Sequence, residues 1–168
     1  MSRDEQALHV YLESSHLISR DSLHAVEKEI ASQILKPMLM GKAGKVFIHE
    51  RFHLQEPMPV RSFLDVYEDS ILTELKGRDH VLYRLYFNAE KEFPAQGTLL
   101  LILQDHLVSH AKEEELAAVL DGIFHERCGL DTQIEFDYRA VESSGREEKQ
   151  KQIRQEVVRI TEAREAAK

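Results

Sequence analysis

The residues whose spacing most suggests chemistry are His49-Glu50-Arg51-Phe52-His53, an HExxH arrangement. On a helix, residues four apart share a face, so two imidazoles can reach one zinc ion while the glutamate activates its bound water. The surroundings argue against a helix. The motif follows Lys45, Val46, Phe47 and Ile48, which alternate, and it runs into Gln55-Glu56-Pro57. That is the pattern of a strand or its exit, and on a strand the two histidines lie about 13 Å apart, beyond any shared zinc. No third ligand stands in a supporting pattern, so neither a metal site nor a zinc hydrolase is expected.

The other suggestive groups have plainer readings. Gly41-Lys42-Ala43-Gly44 matches the GxxG loop with which KH domains clamp a nucleic-acid backbone. There the loop joins two helices, whereas here it joins a helix to a strand, and a tight connection explains the glycines. His106 and His110 with Glu113 to Glu115 sketch a metal site, but they open a helix. Asp105 or Ser109 can cap it, and the acidic run complements its dipole. Tyr83 to Phe87 could stack bases, yet only Arg84 interleaves the rings, which favours core packing. Cys128, the single cysteine, excludes an internal disulfide and reads as a small buried residue. Nine histidines are present, with nothing to gather them. No catalytic residue and no cofactor is expected.

The elements that would position these residues form two groups. Leu8, Val10 and Leu12 alternate with polar neighbours as a half-buried strand. Asp21 or Ser22 then caps a helix with the stripe Leu23, Val26, Ile30 and Ile34, limited by Pro37. Val46, Ile48 and Glu50 continue as a second strand, which completes a β-α-β unit too small to be very stable alone. Pro57 and Pro59 mark a boundary. Beyond it, Phe63, Leu64, Tyr67, Ile71 and Leu75 share a helical face ended by Gly77. His80 to Phe87 reads as a short helix running into a strand near Glu90 to Phe93. Thr98 to Leu103 is an apolar strand, and Leu116, Val119, Leu120, Ile123 and Phe124 form a helical stripe with Gly129 as its C′ residue. Gln133 to Tyr138 alternates as a last strand. The expected organisation is α+β: a first domain over residues 1–56, a second over 57–142, and a charged helical connector over 143–168.

Composition narrows the function classes. The chain has 168 residues, 42% of them hydrophobic, and a net charge of −8, which opposes broad electrostatic attachment to DNA or anionic lipid. Charge is uneven, because residues 142–168 hold seven basic and six acidic residues, a local excess of one positive charge. No apolar run approaches the ~20 residues of a membrane span and the first residues do not resemble a signal peptide, so a cytoplasmic location with no membrane contact is expected.

Several runs together carry a resemblance. They are Lys45 to Leu54 (KVFIHERFHL), Tyr67 to Leu75 (YEDSILTEL), Val81-Leu82-Tyr83, Gly97 to Leu101 (GTLLL) and Ile123 to Leu130 (IFHERCGL). In this order they resemble the N-terminal region of the PolC-type DNA polymerase III alpha subunits, the replicative polymerases of Gram-positive bacteria, and of clostridial relatives in particular. The resemblance covers Leu8 to about Lys168. It implies two small N-terminal domains, the second similar to KH-type modules and to the first domain of the initiator DnaA, with the order helix, helix, strand, strand, helix, strand. The family's polymerase, exonuclease and PHP residues lie downstream, so the implied role is non-catalytic. The resemblance points to a module that tethers a DNA polymerase to replisome partners such as the clamp-loader tau subunit. Asp65, Glu68, Tyr83 and Tyr86 are the candidate partner contacts. The alternative is a single-stranded DNA contact, which would need Lys42, Lys45, Arg51, Arg78 and Arg84 to share one face.

Overall fold

The alternation at each end of the first sixty residues folds into two strands that lie side by side. The computed structural model describes residues 6–42 and 44–140. In it β1 (Ala7–Ser14) pairs in parallel with β2 (Lys45–Phe52), Ala7 opposite Lys45 and Ser14 opposite Phe52. Val46, Ile48, Glu50 and Phe52 of β2 face inward, while the residues between them are exposed. Parallel neighbours need a crossover, and α1 (Arg20–Ile30), a π-helical turn (Ala31–Leu35) and α2 (Lys36–Met38) supply it.

Three details of this crossover differ from the sequence expectation. Ser19, not Asp21 or Ser22, is the N-cap, accepting from the Ser22 N–H. The helix does not stop before Pro37. A proline lacks the N–H for the residue four back and its ring crowds that carbonyl. The wider π turn just before it relieves both, with the Lys36 N–H donating to Ala31 O. That turn also adds a residue to the helical phase. Leu35 is therefore buried, whereas Ile34 is 52% exposed and Val26 47% exposed.

The second group of elements follows the order read from the pattern. α3 (Val60–Arg78) buries Phe63, Leu64, Tyr67, Ile71 and Leu75 along one face. It runs through Gly77 and ends at Asp79, whose extended backbone breaks the helix and whose carboxylate accepts from Val81 N–H at 2.7 Å. Asp79 thereby starts α4 (His80–Asn88). β3 (Glu90–Glu92) pairs antiparallel with β4 (Thr98–Gln104), Lys91 opposite Leu101. α5 (Leu107–Asp121) passes into a second π turn (Gly122–Arg127), and β5 (Gln133–Arg139) completes a sheet of order β3-β4-β5. The Gln133 N–H donates to Gly97 O at 2.7 Å, which holds the beginnings of β5 and β4 together. Gly129 takes φ +63° as the C′ residue, and the Leu130 N–H closes back onto Phe124 O.

The molecule is thus α+β. Its core joins α3, α4, α5 and β4, with Leu99, Leu101, Leu116, Leu120 and Phe124 wholly buried. Phe52 of β2 enters this core edge-on against Tyr67, 6.0 Å between ring centres. The first sheet and the second therefore share one compact unit that closes at Tyr138, and the boundary expected at residues 56–57 falls between β2 and α3. The charged connector expected over residues 143–168 lies outside the described residues. Among the described residues no helix is long and apolar enough to cross a membrane.

Candidate interaction surface

The HExxH residues do not converge. His49, Glu50 and Arg51 lie on β2 and His53 just beyond it, so Glu50 and His49 point to opposite faces. Glu50, its side chain 2% exposed, accepts from Arg20 Nη1 at 2.9 and 3.2 Å and meets Arg127 Nε at 3.2 Å. Arg127 reaches on to Glu74 through Nη1 at 2.5 Å and Nη2 at 3.1 Å, and Arg78 adds a contact to Glu74 at 3.3 Å. This alternating chain of charges joins β2, α1, α3 and the second π turn. Burial disfavours the ionised Glu74 carboxylate, but the hydrogen bonds and charge of Arg127, with Arg78 and Arg20, hold its pKa below the ordinary carboxylate value. Burial likewise opposes the Arg127 cation, and Glu74 and Glu50 more than offset it. The glutamate that suggested a zinc base is a structural ion-pair partner. Among the described residues no set of three metal-ligating side chains comes together.

The other suggestive groups are also occupied structurally. Gly41 adopts φ +85°, and a Cβ on Gly44 would lie 2.4 Å from Leu35 Cδ2, so turn conformation and close packing account for both glycines. Neither Asp105 nor Ser109 caps α5. Its N-cap is His106, without a side-chain bond, while Asp105 holds His110 at 2.8 Å and Ser109 is buried. His110 stacks on Tyr138, whose hydroxyl donates to Glu113. Burial pushes the Cys128 thiol up to about 12, with Arg127 acting against the rise and Glu50 and Glu74 adding to it.

The five basic residues of the DNA alternative do not share a face. Arg51 and Arg78 border one cleft of about 570 Å³. Arg20 and Arg127 line it too, but Glu13, Glu50, Glu74 and Glu126 balance them. Lys42 and Lys45 stand at the other end of β2, about 20 Å from Arg51 at the usual strand rise. Arg84 is exposed on α4.

The four partner candidates are dispersed as well. Tyr86 is corrected outright: its ring is fully buried, because α4 turns Leu82 and Tyr86 inward onto the core. Glu68 is engaged by Lys91 at 3.0 Å, and the same ammonium lies 4.5 Å from the centre of the Tyr86 ring. Asp65 is exposed but sits on α3 three turns before Lys76, the residue of that helix that reaches Tyr83. Tyr83 belongs to a surface feature. His80, Tyr83 and Phe87 stack in file along the outer face of α4, with ring centres 5.6 Å apart at both steps, and Lys76 approaches the Tyr83 ring at 6.0 Å. Phe87 is 58% exposed at the end of the file. The spacing 80, 83, 87 is the helical signal for such a ridge. Core packing, expected for Tyr83 to Phe87, holds in part: Tyr83 packs half-buried against the core while Phe87 is exposed.

A second ring file lies on the first sheet. On the outer face of the first sheet, His9 stacks between Phe47 and His49, and His49 on Tyr11, with centres 5.0–5.4 Å apart. His9 Nδ1 lies 2.8 Å from His49 Nε2. The period-2 alternation that placed both strands also puts these four side chains on one face, but only the parallel register brings them into contact. Comparison of the chain with protein-family models, with curated proteins and with solved structures gives no match.

Proposed function

We propose that this chain is a non-catalytic N-terminal module of a PolC-type replicative DNA polymerase III, and that it tethers the polymerase to a protein of the replisome. The clamp-loader tau subunit is the first partner to test. The supporting observation is the ring file His80-Tyr83-Phe87 on α4, in which Tyr83 is half-buried against the core and His80 and Phe87 are exposed. Rings that hold one another in place lose little side-chain freedom on binding, and aromatic residues dominate the energetics of protein interfaces. The order helix, helix, strand, strand, helix, strand from Val60 to Arg139 supports the KH-like reading of the second part. A DNA polymerase with 3′–5′ exonuclease activity is the whole protein this reading implies, acting in the cytoplasm. The test is a pull-down with the chain as bait in a clostridial lysate, with and without nuclease. Recovery of clamp-loader protein despite nuclease supports the tether, and recovery of nothing from the replisome refutes it.

A single-stranded DNA contact is the second reading. The open ring file Phe47-His9-His49-Tyr11 favours it, since bases stack on such rings without sequence preference. It requires an affinity that falls steeply with salt. The balanced charges of the neighbouring cleft make it the weaker of the two.

A further inference from the structure

The two edges of the first sheet are finished differently. Lys45 N–H donates to Gln6 O and His53 N–H to Ser14 O. By alternation, even-numbered residues of β1 therefore turn their backbone groups toward β2, and Ala7, His9, Tyr11 and Glu13 turn theirs outward. On the far side of β2 the Glu27 carboxylate accepts from Ile48 N–H at 2.8 Å, which blocks that edge at its middle. β1 has no such cover. Among the described residues the outward N–H and C=O groups of Ala7, His9, Tyr11 and Glu13 make no hydrogen bond to another part of the chain. The strand is eight residues long with no proline, glycine or lysine, and Glu13 is its one carboxylate, so its edge is only lightly blunted. Its inward apolar residues are only half covered, and Leu8 is 37% exposed.

We infer that β1 is a pairing edge for a second copy of this chain, joined antiparallel about Tyr11. In that register Tyr11 faces its counterpart as a hydrogen-bonded pair, and each His9 stands opposite the Glu13 of the other copy. Val10 meets Leu12 and Leu8 meets Ser14, which covers the half-exposed apolar row. A slide of two residues centres the pair on Val10 or Leu12 and loses both His9–Glu13 contacts, and a slide of four faces His9 or Glu13 with itself, so hydrogen bonding between His9 and Glu13 favours the register about Tyr11. The result is a four-stranded sheet with a two-fold axis, the commonest symmetry of soluble oligomers. Self-pairing of β1 is independent of the polymerase reading above.

Sedimentation of the 168-residue chain from about 5 to about 500 µM tests it, a range suited to an interface below the standard ~1,600 Å². The mass is expected to rise with concentration toward twice the 19.5 kDa monomer. His9→Glu sets two like charges opposite each other in each dimer, and it should lower the association constant about tenfold. Adding Glu13→Lys to His9→Glu sets opposite charges across each pair and should restore association. Tyr11→Pro deletes an outward N–H while leaving the β1–β2 ladder its bonds, and it should abolish association with the circular dichroism unchanged. If Tyr11→Pro unfolds the chain, the charge pair decides alone. A monomer at every concentration overturns the inference, and so does a dimer indifferent to His9→Glu.

Discussion

Replacing Arg127 with methionine removes the centre of the charge network without emptying its space. Three contacts vanish, one to Glu50 at 3.2 Å and two to Glu74 at 2.5 and 3.1 Å. The two carboxylates are left unequally served. Glu50 keeps both contacts from Arg20, whereas Glu74, its side chain 9% exposed, keeps only Arg78, which is 57% exposed. Breaking a buried ion pair from one side costs about 3–5 kcal/mol, because the remaining charge stays desolvated. The surviving partners place Arg127→Met at the lower end, about 3 kcal/mol. With a urea m-value of about 1.5 kcal/mol/M, the midpoint should fall by about 2 M. Glu74→Met made together with Arg127→Met removes both partners, and it should cost clearly less than the sum of the single changes. The assay is urea unfolding followed by circular dichroism at low and at high salt. The loss should persist at about 1 M salt, since buried pairs are poorly screened. A cost below about 1 kcal/mol, or one that disappears with salt, would show surface ion pairs instead and refute the reasoning.

Acid should weaken the same network. The folded-state pKa of Glu74 is depressed, so its contribution is present above the unfolded carboxylate value of about 4.3 and is lost as pH falls through the folded value. Thermal melts from pH 7 down to 3 should show that loss, and Glu74→Gln should flatten it. Gly44→Ala should cost about 1–3 kcal/mol by overpacking against Leu35 and Leu39, with no change in any affinity for single-stranded DNA. The Cys128 thiol, pushed up to about 12 by burial, should resist a thiol reagent at pH 8 until the chain is unfolded by urea. Rapid labelling of the folded chain would contradict its placement.

Much of the fold was legible because its apolar periods are clean. The alternation Val46, Ile48, Glu50 marks a strand and the stripe Phe63, Leu64, Tyr67, Ile71, Leu75 a helix, and both formed there, the strand running on to Phe52. What failed was local. Pro37 was read as a stop because a proline breaks an α-helix, but a π turn absorbed it and moved Leu35 rather than Ile34 into the interior. Tyr86 and Tyr83 look alike in sequence, and only the orientation of α4 separates the fully buried ring from the half-buried one that stacks on Phe87. Glu50 was visible as a charge in an inward row, yet its partners Arg20 and Arg127 lie 30 and 77 positions away along the chain. A single sequence carries no signal for such a distant pairing. The ring file on the first sheet was hidden for the same reason, since it depends on the register between two strands.

The tether itself is tested most directly by titrating the immobilised chain with purified clamp-loader tau subunit, beside a Phe87→Ser variant of unchanged fold. Saturable binding is expected that survives nuclease and weakens at least tenfold on removal of the exposed ring, as a hot-spot loss of about 1.4 kcal/mol or more requires. Absence of binding, or binding of equal strength by the variant, would contradict the assignment of the α4 ridge as the partner surface.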